Sequence, residues 1–314
     1  MTKNTVLISG AGGYLAGALI EQLSKKTEVA IYALTSNKPK LMNQFKVSKQ
    51  LEVISMDDYR NWDLSREKID TLIHCAFSRG FNNCEEIENS LDFTNELFMT
   101  AYENKISNIV NISTQEVYGL SNKPLWHEKM TVAPESCYGI AKHASELIAL
   151  DVKRISEQRK NVTNLRIASI TGGTNRLRLE LVSKLVMNAI RGEPITVIGG
   201  EQVLSYIDVR DVCSGIIALM SIDPNTWKEY YNLGANQQHT ILEIAKIVID
   251  TSEKLKLDPV ELKVGRNDIH RIVGMDSSLF YQDTGWSPKH RLEDTVMALF
   301  EFFMENPTRN QVKT

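Results

Sequence analysis

Tyr138 and Lys142 stand four residues apart in CYGIAK, so a helix carries both side chains on one face. A phenol with a pKa of about 10 is a poor proton acceptor near neutrality. An ammonium beside it favours the phenolate, and bringing such a phenol to neutrality corresponds to roughly 4 kcal/mol of differential interaction. Tyr138 is therefore expected to serve as a general acid or base. Thr114, in NISTQEVYG, offers a hydroxyl that can orient a substrate oxygen toward this tyrosine. Ser113 is the weaker candidate, because its different direction would turn it toward a cofactor.

A second chemical signal precedes these residues. Gly10, Gly13 and Ala16 follow an apolar run in VLISGAGGYLAG with G-x-x-G-x-x-A spacing, and Gly12 and Gly17 add backbone freedom. Small residues at such a strand-to-helix turn let the main chain approach a pyrophosphate, and the succeeding helix directs its unpaired N–H groups at the anion. An NAD-preferring site carries Asp or Glu near the end of the second strand. Here the stretch is Thr35, Ser36, Asn37 and Lys38, without an acid. Thr35, Ser36 and Lys38 are candidates for a ribose 2′-phosphate, and Asp57 and Asp58 for the adenine side; a solvated loop and paired surface acids are the plainer alternatives. The residues themselves leave the cofactor open between NAD and NADP.

These residues need a scaffold. Buried strands are expected at Val6–Ser9, Val29–Leu34, Leu51–Ile54, Thr71–Cys75, Ile109–Ile112 and Val162–Ile167, alternating with helices at Leu15–Leu23, Glu88–Glu103 and Tyr138–Ser156. Ile140, Ala144, Leu147 and Ile148 form the expected apolar face of the last helix. The alternation predicts right-handed crossovers and an α/β fold: a Rossmann-like, mostly parallel sheet with helices on both faces. After Gly172, helices are expected at Leu177–Ile190, Asp211–Met220, Ile241–Thr251 and Arg291–Phe302, with strands at Val203–Ile207 and Val260–Val264. Residues 1–170 read as the dinucleotide-binding domain, with 203–245 contributing. Residues 171–202 and 246–314 form a smaller, interleaved C-terminal substrate-binding domain.

Composition excludes several classes. Lys plus Arg number 36 against 39 Asp plus Glu, a net charge of −3, which offers no electrostatic case for a nucleic-acid protein. No segment reaches the roughly 18 apolar residues of a membrane span, and MTKNTVLISG does not read as a signal peptide. Cys75, Cys84, Cys137 and Cys213 show neither CxxC nor metal-finger spacing. Reduced thiols, a cytoplasmic location and no metal site are the expectation.

At this point the chain resembles the extended short-chain dehydrogenase/reductase family, in its nucleotide-sugar epimerase and dehydratase branch. The matching segments are SGAGGYLAG, IHCAF, NISTQEVYG, PESCYGIAK, LRIASITGG, GGEQVLSYIDVRDV and TGWSP. The resemblance places Gly10, Gly13, Tyr14 and Leu15 around a pyrophosphate, adds Cys75 and Ala76 of IHCAF to the cofactor side, and sets Asn95 beneath the nicotinamide. It gives Thr114, Tyr138 and Lys142 the family's hydroxyl, Tyr and Lys roles. Dehydratases of the branch often resemble STDEVYG; here Gln115 replaces the first acid and Glu116 keeps the second. Gln115 cannot exchange a proton as a carboxylic acid does, which disfavours dehydration and leaves both residues as substrate contacts.

The substrate end also departs from the pattern. Gln202 is retained, but Leu204 stands where the family commonly has an arginine, while Arg266 matches a diphosphate-binding position. Arg79 and Arg176 are further candidates for the sugar or its phosphates. Phe77 and Trp126 are candidates for a substrate wall, and His74 reads as structural. The resemblance implies 4-epimerisation of a nucleotide-linked sugar through a transient 4-keto intermediate. One alternative is an NAD(P)H-dependent 4-ketosugar reductase, and another is a non-catalytic nucleotide-binding regulatory protein. It also implies a homodimer built on the helices at Glu88–Glu103 and Tyr138–Ser156.

Overall fold

The computed structural model describes residues 4–45, 50–62, 68–80, 84–120, 123–174, 179–266 and 271–306. In chain order the first elements are β1 (Asn4–Ser9), α1 (Tyr14–Leu23), β2 (Val29–Thr35), α2 (Lys38–Gln44), β3 (Leu51–Ser55), α3 (Met56–Arg60), β4 (Thr71–His74), α4 (Glu85–Glu103), β5 (Asn108–Thr114), α5 (Cys137–Ile155) and β6 (Asn161–Ile167). There follow β7 (Ser169–Thr171), α6 (Leu181–Ile190), β8 (Ile195–Ile198), β9 (Val203–Leu204), β10 (Tyr206–Asp208), α7 (Val209–Leu219), β11 (Tyr230–Leu233), β12 (His239–Thr240), α8 (Ile241–Lys254), β13 (Leu262–Gly265), α9 (Ser278–Thr284) and α10 (Leu292–Glu305).

The chain separates into two compact units. The first comprises residues 1–119, 128–167 and 216–232. Its sheet runs β11-β6-β5-β4-β1-β2-β3, and strands β1 to β6 are parallel to their neighbours. Strands covered on both faces need continuous apolar runs, and Val6, Leu7 and Ile8 of β1 are fully buried. Leu7, Leu34, Leu72, Ile109 and Val162 of the sheet pack with Leu97 and Phe98 of α4 and Ala149 and Val152 of α5. The strand order reverses between β1 and β4, and ligands of open α/β sheets bind at the carboxyl ends beside such a reversal.

The second unit comprises residues 120–127, 168–215 and 233–314. Within the stretch 203–245, expected to contribute to the dinucleotide domain, only 216–232 falls in the first unit. Three two-stranded pairs, β10–β7, β12–β9 and β13–β8, accompany a core of Val182, Val186, Ile244, Val248, Val296 and Phe300 drawn from α6, α8 and α10. The expected strand at Val203–Ile207 divides into β9 and β10, because β9 pairs antiparallel with β12 and β10 pairs parallel with β7. Trp126, a candidate substrate wall, is instead 2% exposed and hydrogen-bonded through its backbone to Gly274 and Asp276.

The apolar face expected for α5 holds only in part: Ile148 packs against the core, but two of its members do not. Ile140 and Leu147 are each 53% exposed, whereas the buried face carries Ala141, Lys142, Ser145, Glu146, Ala149 and Val152. Polar groups occupy that face because partners on β5 and β6 satisfy Ser145 and Glu146. Two short helices were not anticipated. The Asn37 side chain accepts from the Lys40 N–H to open α2, with Pro39 in its first turn, and a Ser55–Asp58 capping box opens α3. Among the described residues, no helix is long and apolar enough to cross a membrane.

Candidate active site

The turn after β1 is held tight by its own backbone. The Gly13 N–H donates to the Gly10 carbonyl at 2.7 Å, and the Ala11 N–H donates to Leu34 at 3.0 Å. Gly10 has φ +67°, and a Cβ there would lie 2.7 Å from the Ala76 backbone. Only glycine fits both demands. Beside this turn lies a cavity of about 450 Å³ lined by Gly10, Gly12, Gly13, Thr35, Ser36, Asn37, Lys40, Leu41, Gln44, Cys75, Ala76 and Phe77. A side-chain-free turn opening α1, with a cavity of ligand size, fits a dinucleotide pyrophosphate. Tyr14 and Leu15 form the first turn of α1, Leu15 being buried.

The acids and lysines near this cavity sort themselves. Lys38 reaches Asp58 at 2.7 Å, and that ammonium, with Ser55, holds the exposed Asp58 carboxyl down at about 2. Asp57 is exposed at the start of α3. Lys40, which no local spacing singles out, lines the cavity together with Thr35 and Ser36. The Cys75 thiol, at the end of β4, is pushed up to about 12 by burial. His74 is fully buried between the Ser9 and Thr94 hydroxyls at 2.8 Å each, and burial first, then the Lys142 charge, drives its pKa well below the usual imidazole range. It is neutral and structural. Asn95 lies on the exposed side of α4, one residue from the Thr94 that reaches the sheet.

The catalytic candidates meet on α5 and the loop after β4. Lys142 is 2% exposed, and burial pulls its ammonium down to about 8 against the favourable charge of Glu146. The Phe77 ring lies 4.3 Å from the Lys142 Nζ and packs edge-on against Tyr138 at 6.0 Å between centroids. Arg79 stands over the Tyr138 ring at 5.1 Å and pairs with Glu116 at 3.9 Å. Ser78 anchors the loop bearing Phe77 and Arg79, accepting at its own Oγ from Gly80 and donating to Glu86 on α4.

Ser136 ties the start of α5 to the 115–118 turn. Its Oγ accepts from the Gly139 N–H and donates to a Glu116 carboxylate oxygen at 3.0 Å. A Cβ at Gly139 would lie 2.9 Å from the Glu116 carbonyl, so the close approach needs glycine. Thr114 is 7% exposed, with its Oγ1 accepting weakly from the Glu116 N–H at 3.3 Å, and Gln115 is equally buried. Ser113 serves elsewhere: its Oγ donates to Glu146 at 2.5 Å.

Behind this face, Glu146 takes two hydrogen bonds from Arg166, at 2.9 and 2.8 Å, and faces His143 at 3.3 Å. Burial pushes this carboxyl up, but His143, Arg166 and Ser113 together outweigh it and hold the group below its ordinary range. Arg166 also donates to the Tyr118 hydroxyl, which donates to Asn232. Nothing in the local spacing marks Glu146 and Arg166 as a pair, since they are distant in sequence.

In the second unit, the Gln202 amide is taken up by its own turn, accepting from the Gly200 N–H and donating to the Ile198 carbonyl. Arg266 follows β13 and is exposed. Arg176 lies outside the described residues.

A family model described as "NAD dependent epimerase/dehydratase family" matches residues 6–234. UDP-glucuronic acid decarboxylase 2 of Arabidopsis thaliana is 26% identical over 329 residues, 96% of this chain and 68% of that protein. The dTDP-glucose 4,6-dehydratase of Neisseria gonorrhoeae is 25% identical over 214 residues, 64% of this chain and 60% of that protein. Among solved structures, UDP-glucuronic acid 4-epimerase from Bacillus cereus, in complex with UDP-glucuronic acid and NAD, matches with a TM-score of 0.80 and 21% identity over 96% of this chain and 99% of that one.

Proposed function

The chain belongs to the NAD dependent epimerase/dehydratase family, and on that premise we propose that it is a nucleotide-sugar 4-epimerase working through a transient 4-keto sugar. The observation that carries this reading is Phe77, which lines the cavity beside the glycine turn and touches both Lys142 and Tyr138. One residue thus joins a dinucleotide-sized cavity to the acid–base pair. The turn Gly10–Gly13 and the start of α1 would hold the pyrophosphate. When bound, NAD supplies reversible hydride transfer at C4 of the sugar.

The chain's own residues manage the proton. Tyr138 Oη accepts the proton of the C4 hydroxyl and returns it after the ketone has turned its other face. Lys142 supports the phenolate with a positive charge. Thr114 orients the reacting oxygen, and Arg79, paired with Glu116, stands over the tyrosine ring as a contact for the sugar or its phosphates. Gln115 stands where a dehydratase needs a proton-exchanging acid, which argues against loss of water. The acid-free end of β2 favours a second reading, a 4-ketosugar reductase that transfers hydride once from NAD(P)H.

Incubation of the purified protein with a panel of nucleotide sugars and 4-keto sugars, with each nicotinamide form supplied separately, tests this. Product NMR is expected to show C4 inversion with no net change in nicotinamide absorbance. Stoichiometric oxidation of the reduced cofactor would establish the reductase instead. Turnover of a small ketone, with every nucleotide-linked substrate inert, would remove both.

The protein is also read as a homodimer through α4 and α5. Supporting this, Ile140 and Leu147 expose about half their surface on the face of α5 turned from the sheet. Light scattering on the wild type and on Leu147→Asp is expected to give a dimer and a monomer, respectively.

A further inference from the structure

We infer that the ribose end of the cavity accepts a 2′-phosphate, with Lys40 as its cation, so that the protein binds NADP(H) at least as tightly as NAD(H). The inference rests on the dinucleotide reading of the glycine turn and is independent of which sugar reaction follows.

A carboxylate at the end of β2 does two things in an NAD-selective site: it bonds the ribose hydroxyls and repels a phosphate. Among the described residues, no carboxylate lines this cavity. Thr35 ends β2, and its Oγ1 accepts from the Asn37 N–H at 3.2 Å. That hydroxyl lies 3.4 Å from where a Gly12 Cβ would stand. The position next to the glycine turn is therefore filled by a short, neutral side chain committed to the loop. Ser36 and Asn37, both exposed, add neutral donors to the lining.

The two lysines of the loop divide the charge. Lys38, the candidate suggested by its place in the sequence, is spent on Asp58 at 2.7 Å. The same contact neutralises the nearest acid of α3, which also accepts from the Ser55 N–H. Lys40 lines the cavity and has no carboxylate within 4.0 Å among the described residues. The loop thus presents one uncompensated ammonium, with hydroxyl and amide donors beside it, to the site of a ribose 2′ substituent. A phosphate recognised by such a set gains charge-assisted hydrogen bonds that an unphosphorylated ribose cannot form.

Titration of the full chain with NADPH and with NADH, followed by nicotinamide fluorescence and calorimetry without sugar, tests the inference. NADPH is expected to bind at least as tightly as NADH, and its affinity to fall more steeply with salt. Lys40→Ala is expected to weaken NADPH about tenfold and NADH less than about twofold, Lys40→Glu to weaken NADPH by about a hundredfold, and Lys40→Arg to restore it. NADH binding more tightly than NADPH in the wild type would overturn the inference. Equal loss of both ligands in Lys40→Ala would do the same. If neither dinucleotide binds, the reading of the glycine turn falls as well, a result distinct from selective binding of NADH.

Discussion

Lys142 and Glu146 lie one turn apart on the same face of α5, both buried, and their surroundings are opposite. Glu146 is met by Arg166, Ser113 and His143. Lys142 has an aromatic ring at 4.3 Å and, among the described residues, no carboxylate within 4.0 Å. A buried charge is costly unless paired, and removing one partner of a buried pair costs more than the pair itself contributes. Glu146 is therefore part of what seats α5 on β5 and β6. Lys142 is held desolvated, a condition that bound ligand hydroxyls or a phenolate would relieve. Strongly perturbed groups in clefts mark functional sites for this reason.

Substitutions can break or sharpen this contrast. The largest effect is expected from Tyr138→Phe, which should lower kcat by about 10²- to 10⁴-fold while dinucleotide affinity and the unfolding midpoint stay in place. Retention of full turnover would leave the lysine beside Tyr138 without a proton-transfer partner. Next, Glu146→Gln leaves Arg166 uncompensated and should cost about 3–5 kcal/mol in urea unfolding. A loss below about 1 kcal/mol would erase the distinction between the two charges.

Lys142→Met keeps the side-chain volume and removes the desolvated charge. It should abolish turnover yet raise stability near neutrality by on the order of 1–3 kcal/mol. A destabilisation matching that of Glu146→Gln would show that both residues are structural.

The same difference carries a pH dependence. Burial lowers Lys142 from 10.5 to about 8, so between those values the unfolded chain binds more protons than the folded one. Stability from this group then rises with pH across that window, and the cost of its charge is fully present below about 8. Wild-type protein should gain on Lys142→Met between the two pH limits, by the same amount that separates them at neutrality. A pH-independent difference in unfolding free energy would contradict this. Turnover should move the other way, with kcat/KM declining as pH rises past about 8 and the ammonium is lost.

How much of this was legible depended on distance along the chain. The glycine turn and the Tyr138–Lys142 pair were readable because one strand-to-helix junction and one helical turn contain all their parts. The face of α5 is only half legible, because an apolar stripe normally turns inward, whereas here Ile140 and Leu147 face out and Lys142 and Glu146 face in. Lys40 is not distinguishable from Lys38 in the sequence, because α2 is only seven residues long, too short for periodicity to show which lysine points where. Gln202 kept its family position, yet its amide is spent on the Gly199–Gly200 turn.

The sequence by itself determined the alternating α/β order, the phosphate-type turn at Gly10–Gly13, and the residue types able to move a proton. Only the tertiary structure decided that Asp58 captures Lys38, that Arg166 captures Glu146, and that Lys142 and Lys40 have no carboxylate within 4.0 Å among the described residues. Helix and turn geometry is set by neighbours a few residues apart. A charge's partner is chosen by strand order and packing, which bring together residues that no local spacing relates.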